Sequence, residues 1–505
     1  MSRARPVAAA ARTSVPPPHA ESTWLDVRGP YLLPLLVLLA ARAWLATRVP
    51  TAAEDAYITF RYAWNLARGA GAVFNPGEHV YGFTSAPWMT WLALGLRVGQ
   101  DPLLWARLTL VLADAVTLVT VGSLLERHVS RTSAWCFCLM VALWPYCAAL
   151  AVSGLEMNAF IALIALSAWL VDRRHPGAGA ALGLLAVFRP EGVLAVAVLA
   201  IWARRRDRLI ALAIVAAVLG VLALYYGSPV PQSVRAKAIA YGAPGPLHSR
   251  AWWDWVLPFP LSGGLSTTSE GKGLILFSLV ASPAALAGGV ALWKQRTSAV
   301  TAVALAALAV WSSYILVGAS YFFWYMATPV FCWMTLVAVG LPRIATGRWL
   351  SSACAAALLA TWLFHPRLFI SRAAAEEYLF GLAGDYVAQN AAPGASVMLE
   401  PIGTIGWRAR TLKLIDEVGL VSPAVAERRA RGAGWYADVL AAERPEWLVV
   451  REGLLSRGAT FTGVGAPFRG EADRQAAMSA YEVVAMVDST KGDQNLVILR
   501  RTAPR

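Results

Sequence analysis

Charge is scarce in this sequence. Of 505 residues only 15% are Asp, Glu, Lys or Arg, against 58% hydrophobic, and the mean hydropathy is +0.53. A soluble chain would carry about 25% charged residues, so an ordinary soluble globule is excluded. Acidic residues are the scarcer sign, 30 Asp and Glu against 44 Lys and Arg, for a net charge of +14. In a soluble domain that excess would suggest nucleic acid. Here much of it lies in short loops between apolar runs, where positive charge sets membrane topology, and no nucleic-acid partner is expected. Cysteine is rare as well. All five cysteines, Cys136, Cys138, Cys147, Cys332 and Cys354, fall inside predicted spans, so a disulfide framework is excluded and they read as small core residues. The sequence has no GxxxxGK[ST] loop, no HExxH and no Asp-x-Asp pair, which excludes the common nucleotide-fuelled and zinc-hydrolase chemistries. It also lacks an internal repeat, which weighs against a secondary transporter.

What is present is a series of apolar runs of roughly 17–25 residues, the length that crosses a bilayer. Residues 1–29 are rich in Ala, Pro and Arg and read as a disordered cytoplasmic tail. The first span, Tyr31–Val49, is too long for a signal-peptide core and is expected to stay as a signal anchor. The next apolar stretch, Ala86–Val98, is too short to cross and is expected to lie flat at the outer surface. With that choice the loops "ERHVSR", "DRRH", "ARRRDR", "KQR" and "PRIATGR" all fall on the cytoplasmic side. About eleven spans follow. Two short ones, Ala178–Phe188 and Gly192–Ala203, flank "FRPEG".

The expected fold is therefore mainly α, a polytopic helical domain over residues 30–365 with external loops at 50–101 and 227–272. Residues 366–505 change character and mix helical patterns with the strand candidates "SVMLE", "LKLID", "EWLVV", "YEVVAMVD" and "NLVILRR". This tail is long enough to bury its own core and reads as an extracytoplasmic α/β domain.

Candidate site residues sit at the external ends of the spans. "TAAEDAYITFRYAWNLARG" reads as a helix in which Thr51 and Glu54 form a capping box. Asp55, which the box does not need, suits the positive helix end and is the candidate catalytic base. Successive helix positions point about 100° apart, so the two carboxylates are expected to serve different ends. Arg61 on the same helix is counted with the substrate-binding candidates. His79 and Tyr81 in "GEHVYGFTSAPW" are either interfacial anchors or substrate contacts. Glu156 in "SGLEM" either complements a helix N-terminus or faces substrate. Arg189 and Glu191 in "FRPEG" lie between two broken helices, where ionisable groups are functional by default. Arg235 and Lys237 are loop charges or ligands for a donor phosphate. Trp324 and Tyr325 belong to an anchor belt or to a sugar-stacking wall. Arg42, Arg107 and Asp114 lie within the first two spans and read as a structural charge pairing. Glu54 and Asp55 could share one divalent cation (Mg2+ or Mn2+), but hard cations want more oxygen ligands than these two supply.

These segments resemble a known family. "EDAYITFRYAWNLARGAGAVFNPGEHVYGFTS" resembles the "DDAYI-FRYA-NL--G-G-VFNPGE-VEGYT" signature of one branch of the GT-C superfamily of membrane glycosyltransferases. "SGLEM", "FRPEGVL", "YYGSPVPQSVRAKA" and "IGTIGWRARTLKLIDEVGL" continue the likeness in order along the chain. The branch includes the terminal arabinofuranosyltransferases of actinobacterial cell walls. The resemblance implies inverting transfer of a sugar from a polyprenyl-phosphate donor to an envelope glycan, lipid or protein, at the outer side of the plasma membrane, with the catalytic acidic residue at Asp55. Glu54 stands where the branch has its first Asp, and "PQSVRAK" where it has "PNTYYAK". A lipid-linked sugar transporter or a non-catalytic scaffold are the competing classes. A transporter would place charges deep in several spans.

Overall fold

The computed structural model describes residues 31–241, 269–295, 298–317, 319, 322–344, 348–456, 465–489 and 495–502. The segment read as a tail, 1–29, and most of the loop at 227–272 lie outside the described residues. Among the described residues, four helices are long and apolar enough to cross a membrane unaided: Pro102–His128, Arg205–Tyr226, Ala299–Leu316 and the run Phe323–Ile344. A fifth crossing arises if Arg131–Leu143 and Pro145–Val152, bent by 53°, count as one. Pro145 causes the break, since it brings no N–H to the preceding turn. The expected count of about eleven is thus not reached on length alone. The first helix has 15 residues, Met157–Asp172 has 16, Ala178–Phe188 has 11 and Gly192–Leu199 has 8. At 1.5 Å per residue the last two reach about 16 Å and 12 Å, half a hydrocarbon core each. Read as separate spans, they are in fact two half-length helices meeting at "FRPEG".

Ala86–Arg97 is the short helix expected to lie flat. Ser85 caps it by accepting the Trp88 N–H, and Trp88 and Leu92 are buried while Trp91 and Leu94 are exposed. The buried ionisable groups pair within the bundle. Arg42 Nε and Nη2 donate to Asp114 Oδ2, Asn158 donates to Asp114 Oδ1, and two further Arg42 bonds reach the carbonyls of Val141 and Ala142. Arg107 instead donates to the carbonyls of Val49, Thr51 and Val152, fastening the turn below Asp55.

The helix expected to be the last span does not stop at residue 365. Arg348–Glu376 continues through Glu377–Gly381 into Leu382–Asn390, one rod that enters the tail. There the five strand candidates form one sheet: β1 Ser396–Leu399, β2 Lys413–Asp416, β3 Trp447–Arg451, β4 Tyr481–Val487 and β5 Leu496–Arg501. Their order is β2-β1-β3-β5-β4, parallel among β2, β1 and β3 and antiparallel at β5 and β4. Alternation puts Met398, Ile415, Leu448 and Val450 on one face, against Tyr436 and Leu440 of the Trp435–Glu443 helix. Val397, Leu399, Leu414 and Val449 point the other way, into the same core as the Glu54–Ala67 helix. The tail therefore shares half its core with the membrane domain.

Candidate active site

The Glu54–Ala67 helix rests on the tail rather than standing apart from it. Its N-cap is Ala53, with no side-chain cap bond, so the expected Thr51–Glu54 capping box does not form. Glu54 Oε1 accepts the N–H groups of Gly403 and Thr404, at the start of the Thr404–Arg408 helix. It caps a helix, but one about 350 residues away in sequence. Burial, then the neighbouring Asp55 and Glu400, push its carboxyl above the usual range. Arg61 is 1% exposed and makes its bonds away from substrate, donating to the carbonyls of Phe74, Gly406 and Leu412. Asn75 completes the seam. Its amide donates to the Leu414 carbonyl and accepts the Leu414 N–H, closing the β2 edge of the sheet.

Asp55, one position round the helix from Glu54, faces a small cleft at the loop end of the bundle. Glu156, Arg189, Lys237, Trp324 and Tyr325 share it. Asp55 Oδ2 lies 3.4 Å from Lys237 Nζ. Burial opposes the charge on Lys237, but Asp55 and Tyr325 together outweigh it, and the ammonium is held above its usual range. The Lys237 ammonium also lies 4.4 Å from the Phe322 ring centre and 5.6 Å from that of Trp324, cation–π distances.

Glu156 is delivered by a tight turn. Gly154 holds φ +82°, a conformation that favours glycine, with Ala56 and Phe60 packed beside it. The carboxylate accepts from Arg189 Nη1 and, at 3.2 Å, from Thr84 Oγ1. Arg189 turns its Nε to Glu191 Oε1 at 2.6 Å, and that oxygen also accepts the Tyr314 hydroxyl at 2.7 Å. Glu191 thus stands behind Arg189 as its support, outside the cleft lining. Tyr314 stacks on Tyr325 at 4.9 Å.

The tail forms part of the wall. Asp416 accepts the N–H groups of Val418, Leu420 and Val421, and Leu420 lines the cleft. Burial still pushes the Asp416 carboxyl up to about 6 against those three bonds. Gly82 lets the two parts close. A Cβ there would meet the Tyr62 hydroxyl, the Leu420 carbonyl and Val421.

Besides Glu54, Arg61 and Glu191, three further sequence candidates fall outside the cleft lining. His79 is exposed and packs on Tyr225 at 4.7 Å. Tyr81 is buried, stacked on Tyr226 at 5.0 Å, and its carbonyl takes the Gln232 N–H that starts the Gln232–Tyr241 helix. Arg235 is exposed on that helix and is absent from the cleft lining. Thr84, Ser233, Tyr314 and Leu420 were not singled out by the sequence. Ser233 had a signal, four residues before Lys237 and so on the same helix face. One oxygen of Glu54 is taken by the N–H groups of Gly403 and Thr404, while Asp55 faces the Lys237 ammonium. Among the described residues no group of three or more His, Cys, Asp or Glu is arranged for a metal.

Comparison with known proteins bears on this architecture. A family model described as a domain of unknown function (DUF8728) matches residues 370–499, the rod's end and the sheet. No curated protein matches the chain in sequence. Among solved structures, ArnT from Cupriavidus metallidurans superposes in its apo state with a TM-score of 0.61 at 11% identity, over 93% of this chain and 99% of ArnT. The same protein bound to undecaprenyl phosphate gives 0.58 at 13% identity, over 93% of this chain and 98% of ArnT. The Archaeoglobus fulgidus oligosaccharyltransferase tethered with an acceptor peptide gives 0.52 at 11% identity, over 92% of this chain and 74% of that protein. The chain has the fold of the GT-C membrane glycosyltransferases.

Proposed function

We propose that the chain is an inverting glycosyltransferase that moves a sugar from a polyprenyl-phosphate donor to a cell-envelope acceptor on the outer side of the plasma membrane. The observation that carries this reading is the Asp55–Lys237 pair, 3.4 Å apart in a cleft that also holds Arg189 and Glu156. One carboxylate can serve as base while cations wait for a phosphate. The acceptor hydroxyl oxygen bonds to the anomeric carbon from the face opposite the phosphate. The bond from that carbon to the phosphate oxygen breaks and its electron pair stays on the phosphate. The hydroxyl proton passes to Asp55. The departing phosphate is stable as an anion and needs no proton, so one base suffices, unlike the acid-and-base pair of a glycosidase.

Lys237 and Arg189 supply charge to the growing phosphate anion, held in place before the reaction by Asp55, Glu156 and Glu191. Trp324 and Tyr325 offer ring faces to the sugar. ArnT, of the same fold, has been seen with undecaprenyl phosphate, which supports a lipid-linked donor here. A carrier reading gains nothing from the deep charges, because Arg42 and Asp114 neutralise each other inside the bundle.

The test is a reconstituted assay with polyprenyl-phosphate sugars. Asp55→Asn keeps the shape and loses the basicity, so turnover should fall by roughly 10²–10⁴-fold while undecaprenyl phosphate still binds. Full turnover in that variant would remove Asp55 as the base. Movement of the lipid across the bilayer without sugar transfer would replace the reading with a carrier.

A further inference from the structure

Among the described residues, one buried hydroxyl of the cleft lining is left without a partner by the protein. Among the described residues three buried hydroxyls make no hydrogen bond, those of Ser167, Ser233 and Thr328, and of these only Ser233 lines the cleft. Ser233 is 3% exposed. A buried, unpaired hydroxyl is costly and calls for an explanation, and one that lines a cleft is placed for a ligand to complete it.

Its surroundings select the ligand. Ser233 is the second residue of the Gln232–Tyr241 helix, where the aligned peptide dipoles leave partial positive charge. Lys237 is one turn further along and reaches the same cleft, whereas Arg235, between them in sequence, is exposed. A hydroxyl donor, a helix start and an ammonium group thus converge on one volume, and together they suit an oxyanion.

We infer that Ser233 donates a hydrogen bond to a non-bridging oxygen of a lipid-linked phosphate, with Lys237 neutralising the same group. The inference rests on the glycosyltransferase reading for the identity of that lipid. No proton leaves Ser233. As the anomeric bond breaks and charge builds on the phosphate, the hydrogen bond strengthens, so Ser233 holds donor and leaving group alike.

The experiment uses the full chain in lipid nanodiscs and titrates three probes: undecaprenyl phosphate, undecaprenol and inorganic phosphate. Ser233→Ala should weaken undecaprenyl phosphate by about 10- to 100-fold, the usual range for a lost bond to a charged group. Undecaprenol, which lacks the phosphate, should bind both forms equally, and Ser233→Thr should restore the phosphate affinity to within a few-fold. Without ligand, Ser233→Ala should melt at the same temperature as the parent or higher, because it removes an unpaired polar group. Equal affinity of Ser233→Ala and parent for undecaprenyl phosphate would overturn the inference, as would an equal loss for undecaprenol. Competition by inorganic phosphate at the concentrations that suffice for the lipid would make this a free-phosphate site and overturn the lipid assignment. The two readings fail separately. Weakened phosphate binding in Ser233→Ala alongside full turnover in Asp55→Asn keeps the phosphate site and removes the base. Intact binding in Ser233→Ala alongside a dead Asp55→Asn does the reverse.

Discussion

Glu417 follows the Asp416 that fixes the loop lining the cleft, and its carboxyl takes a hydrogen bond from the Tyr436 hydroxyl. Burial, then the nearby Glu400, push its pKa from 4.5 up to about 8. For an acid raised in this way, the folded chain keeps a proton that the unfolded chain has released. The stability from its protonated form is complete below 4.5 and is lost as pH rises through about 8. Glu54, whose carboxyl is also raised, acts in the same direction. Glu417→Gln should therefore raise the melting temperature at pH 8, change little at pH 5, and flatten the profile between them. A slope unchanged by the substitution would take Glu417 out of the account.

At the scale of elements, the Glu54–Ala67 helix is the joint between membrane domain and sheet. Arg61→Ala would leave the buried carbonyls of Phe74, Gly406 and Leu412 without their donor. Destabilisation of about 3 kcal/mol is expected, since bonds from a charged donor are worth roughly 1.5–3 kcal/mol each and water enters to recover part of the loss. Limited proteolysis should then cut beyond Asn390 at several-fold lower protease, and an unchanged digestion pattern would contradict the joint. This element also marks where the sequence was legible. Helical spacing and the order of motifs put Asp55, Glu156, Arg189 and Lys237 at one end of the bundle, and hydrophobic alternation gave all five strands. Arg61 and Glu54 could not be read so. A capping box is a local pattern, whereas the partners they found are about 350 residues away. Arg235 was legible in principle, because a period of 3.6 turns it away from the face shared by Ser233 and Lys237. The half-length helices at "FRPEG" looked like spans because composition does not record where a helix turns back.

For the molecule as a whole, the cleft belongs to both parts. Its wall includes Leu420 from the tail, and the seam of Glu54, Arg61 and Asn75 holds that wall in place. A chain cut after Asn390 should insert in the membrane yet melt at a lower temperature than the full chain and show no transfer. Adding residues 391–505 as a separate polypeptide should restore transfer in part. Activity of the cut chain at the full rate would make the sheet dispensable. The strand order carries a consequence for the timing of synthesis. β5 lies between β3 and β4 although it comes last of the five, so the sheet stays open until that strand has been made. Until then Asp55, Arg189 and Lys237, all earlier in the chain, have been made while the sheet still lacks its last strand. Completion of the sheet is thus a late event of synthesis, set by the last strand rather than growing evenly with the chain.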